Sequence, residues 1–139
     1  MTQIPQVPGV YHRKVGAITV TALADGYIDG GLDVLRGVTP EEGAAMLAER
    51  FRPSRRISVN AYLIRNGTRT ALIETGSGTY LGGTLGWLLG NLRVAGVDPA
   101  SIEAVMLTHM HPDHSAGLAD RETGRRFFPN SAPRPCWSG

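Results

Sequence analysis

Apolar and polar residues alternate through residues 15–23, with Ile18, Val20 and Ala22 on one side and Thr19, Thr21 and Leu23 on the other. This pattern predicts a strand, stopped by the turn dipeptide Asp25-Gly26. The stretch before it, residues 1–9 with Pro5 and Pro8, reads as an irregular arm, and residues 27–35 read as a loop with apolar members. Residues 58–64 and 70–74 form two further strand-like runs joined through Asn66-Gly67, a strong hairpin signal, so the sheet is expected to be antiparallel there. Thr39-Pro40-Glu41-Glu42 combines an N-cap threonine, a proline at the first helical position and a glutamate at the capping-box position. The helix it starts continues through Ala44, Leu47, Ala48 and Phe51 until Pro53. Leu85, Leu88, Leu89, Leu92 and Ala95 recur at helical spacing up to Gly96, although Gly82, Gly83, Gly86 and Gly90 weaken the first turns. Asp98-Pro99 starts a short helical turn, and residues 102–107 form a last strand. The resulting order is strand, two strands, helix, strand, loop, helix. It predicts an α/β (α+β) fold: a mixed sheet covered by helices on one face.

The chain has 139 residues, enough for one ordinary domain with a buried core. Its 14 Lys+Arg against 12 Asp+Glu leave a formal charge of +2, too near balance to argue for nucleic acid as a partner. The basic run Arg52-Pro53-Ser54-Arg55-Arg56 and the pair Arg125-Arg126 therefore read as solvated loops. Cys136 is the single cysteine and cannot form an internal disulfide, in keeping with a reducing compartment. No apolar run approaches the ~18 residues of a membrane-spanning helix, and the first nine residues lack the pattern of a signal peptide. The expectation is a cytoplasmic protein without a membrane partner.

One segment changes the picture from fold to chemistry. Directly after the apolar residues 104–107 come His109, His111, Asp113 and His114, so three of the chain's four histidines and a carboxylate fall within six positions. Imidazole and carboxylate are the donors that zinc and similar divalent ions take, three or four at a time. In an extended run His109 and His111 point the same way. Pro112 then turns the chain and brings Asp113 and His114 round to a second position nearby. By contrast, the glycines of Thr75-Gly76-Ser77-Gly78 lack the Lys-Ser/Thr of a phosphate-binding loop, and this stretch reads as a turn beside the metal segment.

The H-x-H-x-D-H pattern of His109, His111, Asp113 and His114 resembles the signature of the metallo-β-lactamase-fold hydrolases. The resemblance extends over residues 10–130, to the branch of methyl parathion hydrolase-like enzymes and acyl-homoserine lactonases. It is carried further by Ala71-Leu72-Ile73-Glu74-Thr75-Gly76 and by Val59-Asn60-Ala61-Tyr62-Leu63-Ile64. The resemblance implies the N-terminal half of an αββα sandwich. It also implies a site in which His109 and His111 bind a first ion and Asp113 and His114 a second, two Zn²⁺ per complete site, with Mn, Fe or Co as possible substitutes. Water or hydroxide between the ions would be the nucleophile, and Asp113 would orient it and accept its proton, the catalytic role in this set. Tyr27, Ile28 and Leu32 would lie beside the mouth of the site. The family usually has Asp where Glu74 stands, which alters the hydrogen bonds that hold the histidine loop.

The family's remaining ligands, two histidines and a bridging acid, lie further downstream, whereas here the only other histidine is His12. The sequence is therefore expected to be a fragment or early-terminated form of a longer hydrolase. Residues 1–130 would form a partial domain, and residues 131–139, with Pro133 and Pro135, an unstructured tail outside the fold. Two functions follow. One is a metal-dependent hydrolase of a small ester, lactone or organophosphate-like substrate; the other is a catalytically incomplete metal-binding or interaction domain. A sheet covered on one face would also expose apolar surface and favour homo-oligomers.

Overall fold

The computed structural model describes residues 8–135, the last four by backbone alone. Six strands form one sheet in sequential order: β1 (Val10–Val15), β2 (Ile18–Gly30), β3 (Arg55–Asn66), β4 (Arg69–Ile73), β5 (Ala104–Leu107) and β6 (Ala132–Pro135). The first four are antiparallel, as meander connections allow, and β4, β5 and β6 run parallel. Parallel pairing needs a crossover. Between β4 and β5 this includes α2 (Leu88–Val94), and α1 (Pro40–Glu49) lies in the connection from β2 to β3. The mixed sheet with helices agrees with the fold class predicted from the pattern.

Strand alternation sorts the sheet into two faces. Leu23 pairs with Ala61, Leu63 with Leu72, and Leu72 with Val105, and all five side chains are buried. Leu88 and Leu92 of α2, with Val97, Ile102 and Phe128, complete this core. Burying a leucine of this kind contributes roughly 1.5–3 kcal/mol, so α2 is held by packing more than by its own propensity. The opposite face carries the register row Tyr11, Ala22, Tyr62, Ile73 and Met106, in which Tyr11 and Tyr62 are exposed.

Several elements differ from their expected limits. Asp25-Gly26 does not end a strand: β2 runs on to Gly30, and the register passes from Ala24 opposite Asn60 to Gly26 opposite Val59, leaving Asp25 as the extra residue of a bulge. Tyr27 and Ile28 consequently lie in strand, not in a loop. The 18–30 and 55–66 strands form a ribbon whose pairing, remote in sequence, overrides the local turn signal. Residues 10–14, unassigned from the sequence, form an edge strand on β2 together with Val15, which the pattern places at the start of the 15–23 strand. The hairpin after β3 is present, with Asn66 paired to Arg69 and Gly67 at φ +59. The capping box at Thr39 forms as expected, Thr39 Oγ1 accepting from the Glu42 amide and Glu42 Oε2 from the Thr39 amide. α2 begins at Leu88, later than the leucine spacing suggests, because Gly82 and Gly86 sit at φ +101 and +87.

The expected tail also meets a correction. Residues 132–135 pair with β5 as a parallel edge strand, while residues 136–139, Cys136 among them, lie outside the described part. Proline is tolerated on an edge when its missing N–H faces away from the ladder. Pro133 and Pro135 are two apart, so both lack their donor on the same side of the strand. Among the described residues no helix is long and apolar enough to cross a membrane.

Candidate metal centre

The histidine segment starts where two parallel strands end together. Glu74 continues from β4, its amide donating to Met106 O of β5 at 2.9 Å, and its φ of +66 turns the side chain across the end of β5. There Glu74 Oε1 accepts from the Thr108 amide at 2.8 Å. The next residue, His109, has its Nδ1 3.0 Å from Thr108 Oγ1. His111, extended at φ −64 and ψ 149, precedes Pro112, the first residue of the short helix α3 (Pro112–Ser115). Ser115 Oγ donates back to the carbonyls of Met110 and His111 and closes the loop at 3.1 and 3.0 Å.

This path gathers the residues the pattern singled out. The imidazole of His109 lies 4.0 Å from that of His114 and 4.6 Å from that of His111, centroid to centroid. Asp113 Oδ2 is 3.2 Å from His114 Nε2, and both side chains are partly exposed. On the inner side Glu74 Oε2 faces His114 Nδ1 at 3.1 Å. That buried oxygen makes no hydrogen bond of full geometry, so the imidazole is its close partner. A carboxylate behind one ring nitrogen favours the proton there and leaves the other nitrogen as a donor, the usual arrangement behind a metal-binding histidine. Three imidazoles, one carboxylate and this outer acid therefore fit a divalent ion chemically. They do not form a closed cage: among the described residues no three His, Cys, Asp or Glu side chains surround a single point as a ready-made ion site. His114 instead has both nitrogens directed at carboxylates.

The backbone of the segment is fixed by the turn after β4. The amide and hydroxyl of Thr75 both donate to His114 O at 2.9 Å, and the Gly117 amide donates to Gly76 O at 3.0 Å. A Cβ on Gly117 would overlap Thr75 O, so only glycine permits this approach. Asp25, which the sequence suggested only as a turn residue, lies fully buried beneath the same turn. Its Oδ2 accepts from the amide and hydroxyl of Ser77 at 2.8 and 3.0 Å, and its Oδ1 from the Leu88 amide at 3.2 Å. No local signal separates such a residue from an ordinary Asp-Gly turn.

The side chains expected beside the mouth are engaged differently. Tyr27 has the Arg56 guanidinium 3.7 Å above its ring and meets Trp87 edge-on at 6.0 Å. Ile28 is a partly buried member of β2, and Leu32 packs towards Gly43 of α1. Arg56 is bidentate to Asp29 at 2.8 and 2.7 Å, which holds the Asp29 carboxyl below the ordinary range and the guanidinium above its own. Arg55 donates to Gly31 O and Arg52 to Arg56 O, so this basic run makes local contacts.

Known proteins resemble this chain in sequence and in fold. Residues 54–120 match the family model of the metallo-beta-lactamase superfamily. Among curated relatives, Ribonuclease Z of Pyrococcus furiosus is 32% identical over 69 residues, 50% of this chain and 20% of that protein. Thioesterase pkgB of Emericella nidulans is 38% identical over 61 residues, 44% of this chain and 16% of the relative. Among solved structures, the hydrolase AbOPH of the beta lactamase superfamily superposes with a TM-score of 0.83 at 30% identity, over 93% of this chain and 45% of its own. AidC, a dizinc quorum-quenching lactonase, gives 0.82 at 28% identity, over 90% of this chain and 44% of its own. The chain thus spans at most a fifth of those curated relatives and under half of those two solved chains. With the sheet, the matched segment and the superpositions in agreement, the chain carries an N-terminal part of the metallo-β-lactamase fold.

Proposed function

We propose that the chain contributes the first half of a metal-dependent hydrolase site acting on a small ester, lactone or organophosphate-like substrate. His109 and His111 would hold one divalent ion, and Asp113 and His114 a second. Bound zinc, or manganese, iron or cobalt in its place, supplies positive charge that polarises an attacked oxygen and makes water acidic near neutral pH. Asp113 orients the attacking water and accepts its proton. Glu74 keeps the proton of His114 on Nδ1, and Thr75 and Ser115 fix the backbone on which the donors ride. The observation that supports this reading is the approach of the His114 and His111 imidazoles to that of His109, 4.0 and 4.6 Å centroid to centroid, with Asp113 beside His114. Similarity to AidC, a dizinc lactonase, supports zinc and an ester-like bond.

A second reading is an incomplete metal-binding domain without turnover. It is favoured by the lack of a closed three-donor cage among the described residues. Zinc content per monomer, with assays on a phenyl ester and an acyl-homoserine lactone, separates the two. About two zinc ions with turnover abolished by Asp113→Ala supports the hydrolase. One weakly held ion and no turnover supports the second reading.

A further inference from the structure

Asp25 belongs to neither the sequence motif nor the set of metal donors, yet it is the most heavily committed buried carboxylate near the site. As the extra residue of the β2 bulge it leaves the ladder, and its side chain is completely buried. Its own carbonyl accepts from the Trp87 amide at 3.0 Å and Oδ1 from the Leu88 amide, which ties it to the start of α2. Capping α2 needs only that oxygen. The other, Oδ2, is committed to Ser77, whose side chain is equally buried, through both amide and hydroxyl. Ser77 follows Thr75 and Gly76, and these two residues hold His114 O and the Gly117 amide. Gly76 lies so close beneath Asp25 that a Cβ there would overlap the carboxyl carbon.

We propose that Asp25 is a positioning residue: it clamps the 75–77 turn, and through that turn it fixes the backbone of residues 114–117 and with it the orientation of His114. The bulge aims a carboxylate out of the ladder, and two oxygens let one side chain join β2, the turn after β4 and α2.

The test is hydrogen exchange by mass spectrometry on the full chain without metal, comparing wild type with Asp25→Asn and Ser77→Ala. Asparagine keeps the size of the side chain but turns an amino group towards donors. The expected result is exchange roughly tenfold faster in a peptide covering residues 112–118, with peptides from β3 and β4 unchanged. Faster exchange confined to residues 18–30 and 86–92 would overturn the proposal and leave Asp25 as a helix cap. If Asp25→Asn does not fold, Ser77→Ala decides: about threefold faster exchange at 112–118 supports the clamp, and wild-type exchange there overturns it.

A second readout, zinc affinity by competition with a chromophoric chelator, rests on the proposed function. In a folded variant the zinc dissociation constant is expected to rise roughly tenfold. An unchanged constant alongside unchanged exchange overturns the clamp. A wild-type chain that binds no zinc overturns the proposed function, while the exchange result still decides the role of Asp25.

Discussion

Replacing Glu74 with glutamine preserves size and shape but changes one oxygen into a donor. Two orientations of the new amide are open. If its oxygen accepts from the Thr108 amide, as Glu74 Oε1 does at 2.8 Å, the amino group faces His114 Nδ1 across 3.1 Å. The imidazole must then accept at Nδ1 and carry its proton on Nε2, the nitrogen needed for an ion. If the amide rotates, its amino group meets the Thr108 N–H, donor against donor, in a site where Glu74 is only 5% exposed. Leaving a buried donor unmatched costs about 1–3 kcal/mol. Removing an outer carboxylate behind a ligating histidine lowers metal affinity about 10–100-fold, or roughly 1.4–2.7 kcal/mol. Both estimates agree in size, so Glu74→Gln is expected to weaken zinc binding by one to two orders of magnitude. The measurement is a zinc titration against a chromophoric chelator, with circular dichroism to confirm the fold. A folded Glu74→Gln chain with wild-type zinc affinity would show that His114 does not bind through the tautomer Glu74 selects.

Two further outcomes follow from the sheet. His12 hydrogen-bonds Thr21 Oγ1 at 2.8 Å, and burial, then the positive charge of Arg65, hold its pKa below the ordinary 6.5. The folded state therefore binds fewer protons than the unfolded chain, and stability falls as pH drops from 6.5 towards the folded value. Thermal melts between pH 7.5 and 5.5 should show a declining midpoint that flattens in His12→Gln, and equal slopes would refute the assignment. The open sheet face should drive self-association: the row from Tyr11 to Met106 crosses five strands, about 19 Å at the usual spacing, with Val20, Ile64, Ala71 and Ala104 in the next row. Sedimentation velocity is expected to show concentration-dependent dimers that Tyr62→Lys suppresses, and a monomer at all concentrations would contradict this.

The features readable from sequence are those whose cause is local. The Thr39 and Glu42 side chains satisfy helix-end donors within four residues, Pro40 has no N–H to satisfy, and the capping box is present as the pattern predicts. The proximity of His109, His111, Asp113 and His114 follows from spacing and from Pro112, and the structure brings their side chains together. The misreadings have remote causes. Asp-Gly serves a hairpin turn and a bulge equally well, since both use a glycine at positive φ, here +130 at Gly26. What decides between them is the partner strand some 35 residues away. Likewise Pro133 and Pro135 count against a strand in general, yet an edge beside β5 accepts them.

Glu74 shows where local and remote causes meet. The sequence marks an acidic residue before Thr75-Gly76, but its conformation is legible only in the fold. Among the described residues, Glu74 and Phe51 are the non-glycine residues at positive φ. A left-handed residue with a Cβ costs roughly 1–2 kcal/mol, and glycine would avoid that cost at this position. Glycine, however, supplies no carboxylate to reach both the Thr108 amide and His114 Nδ1 from the end of β4. An extended residue there would continue β4 and direct its side chain to one face of the sheet. The strained backbone is what sends the carboxylate along the strand ends to the histidine loop. The strain is thus tied to the orientation of His114, as is common where a backbone outlier sits beside reactive groups.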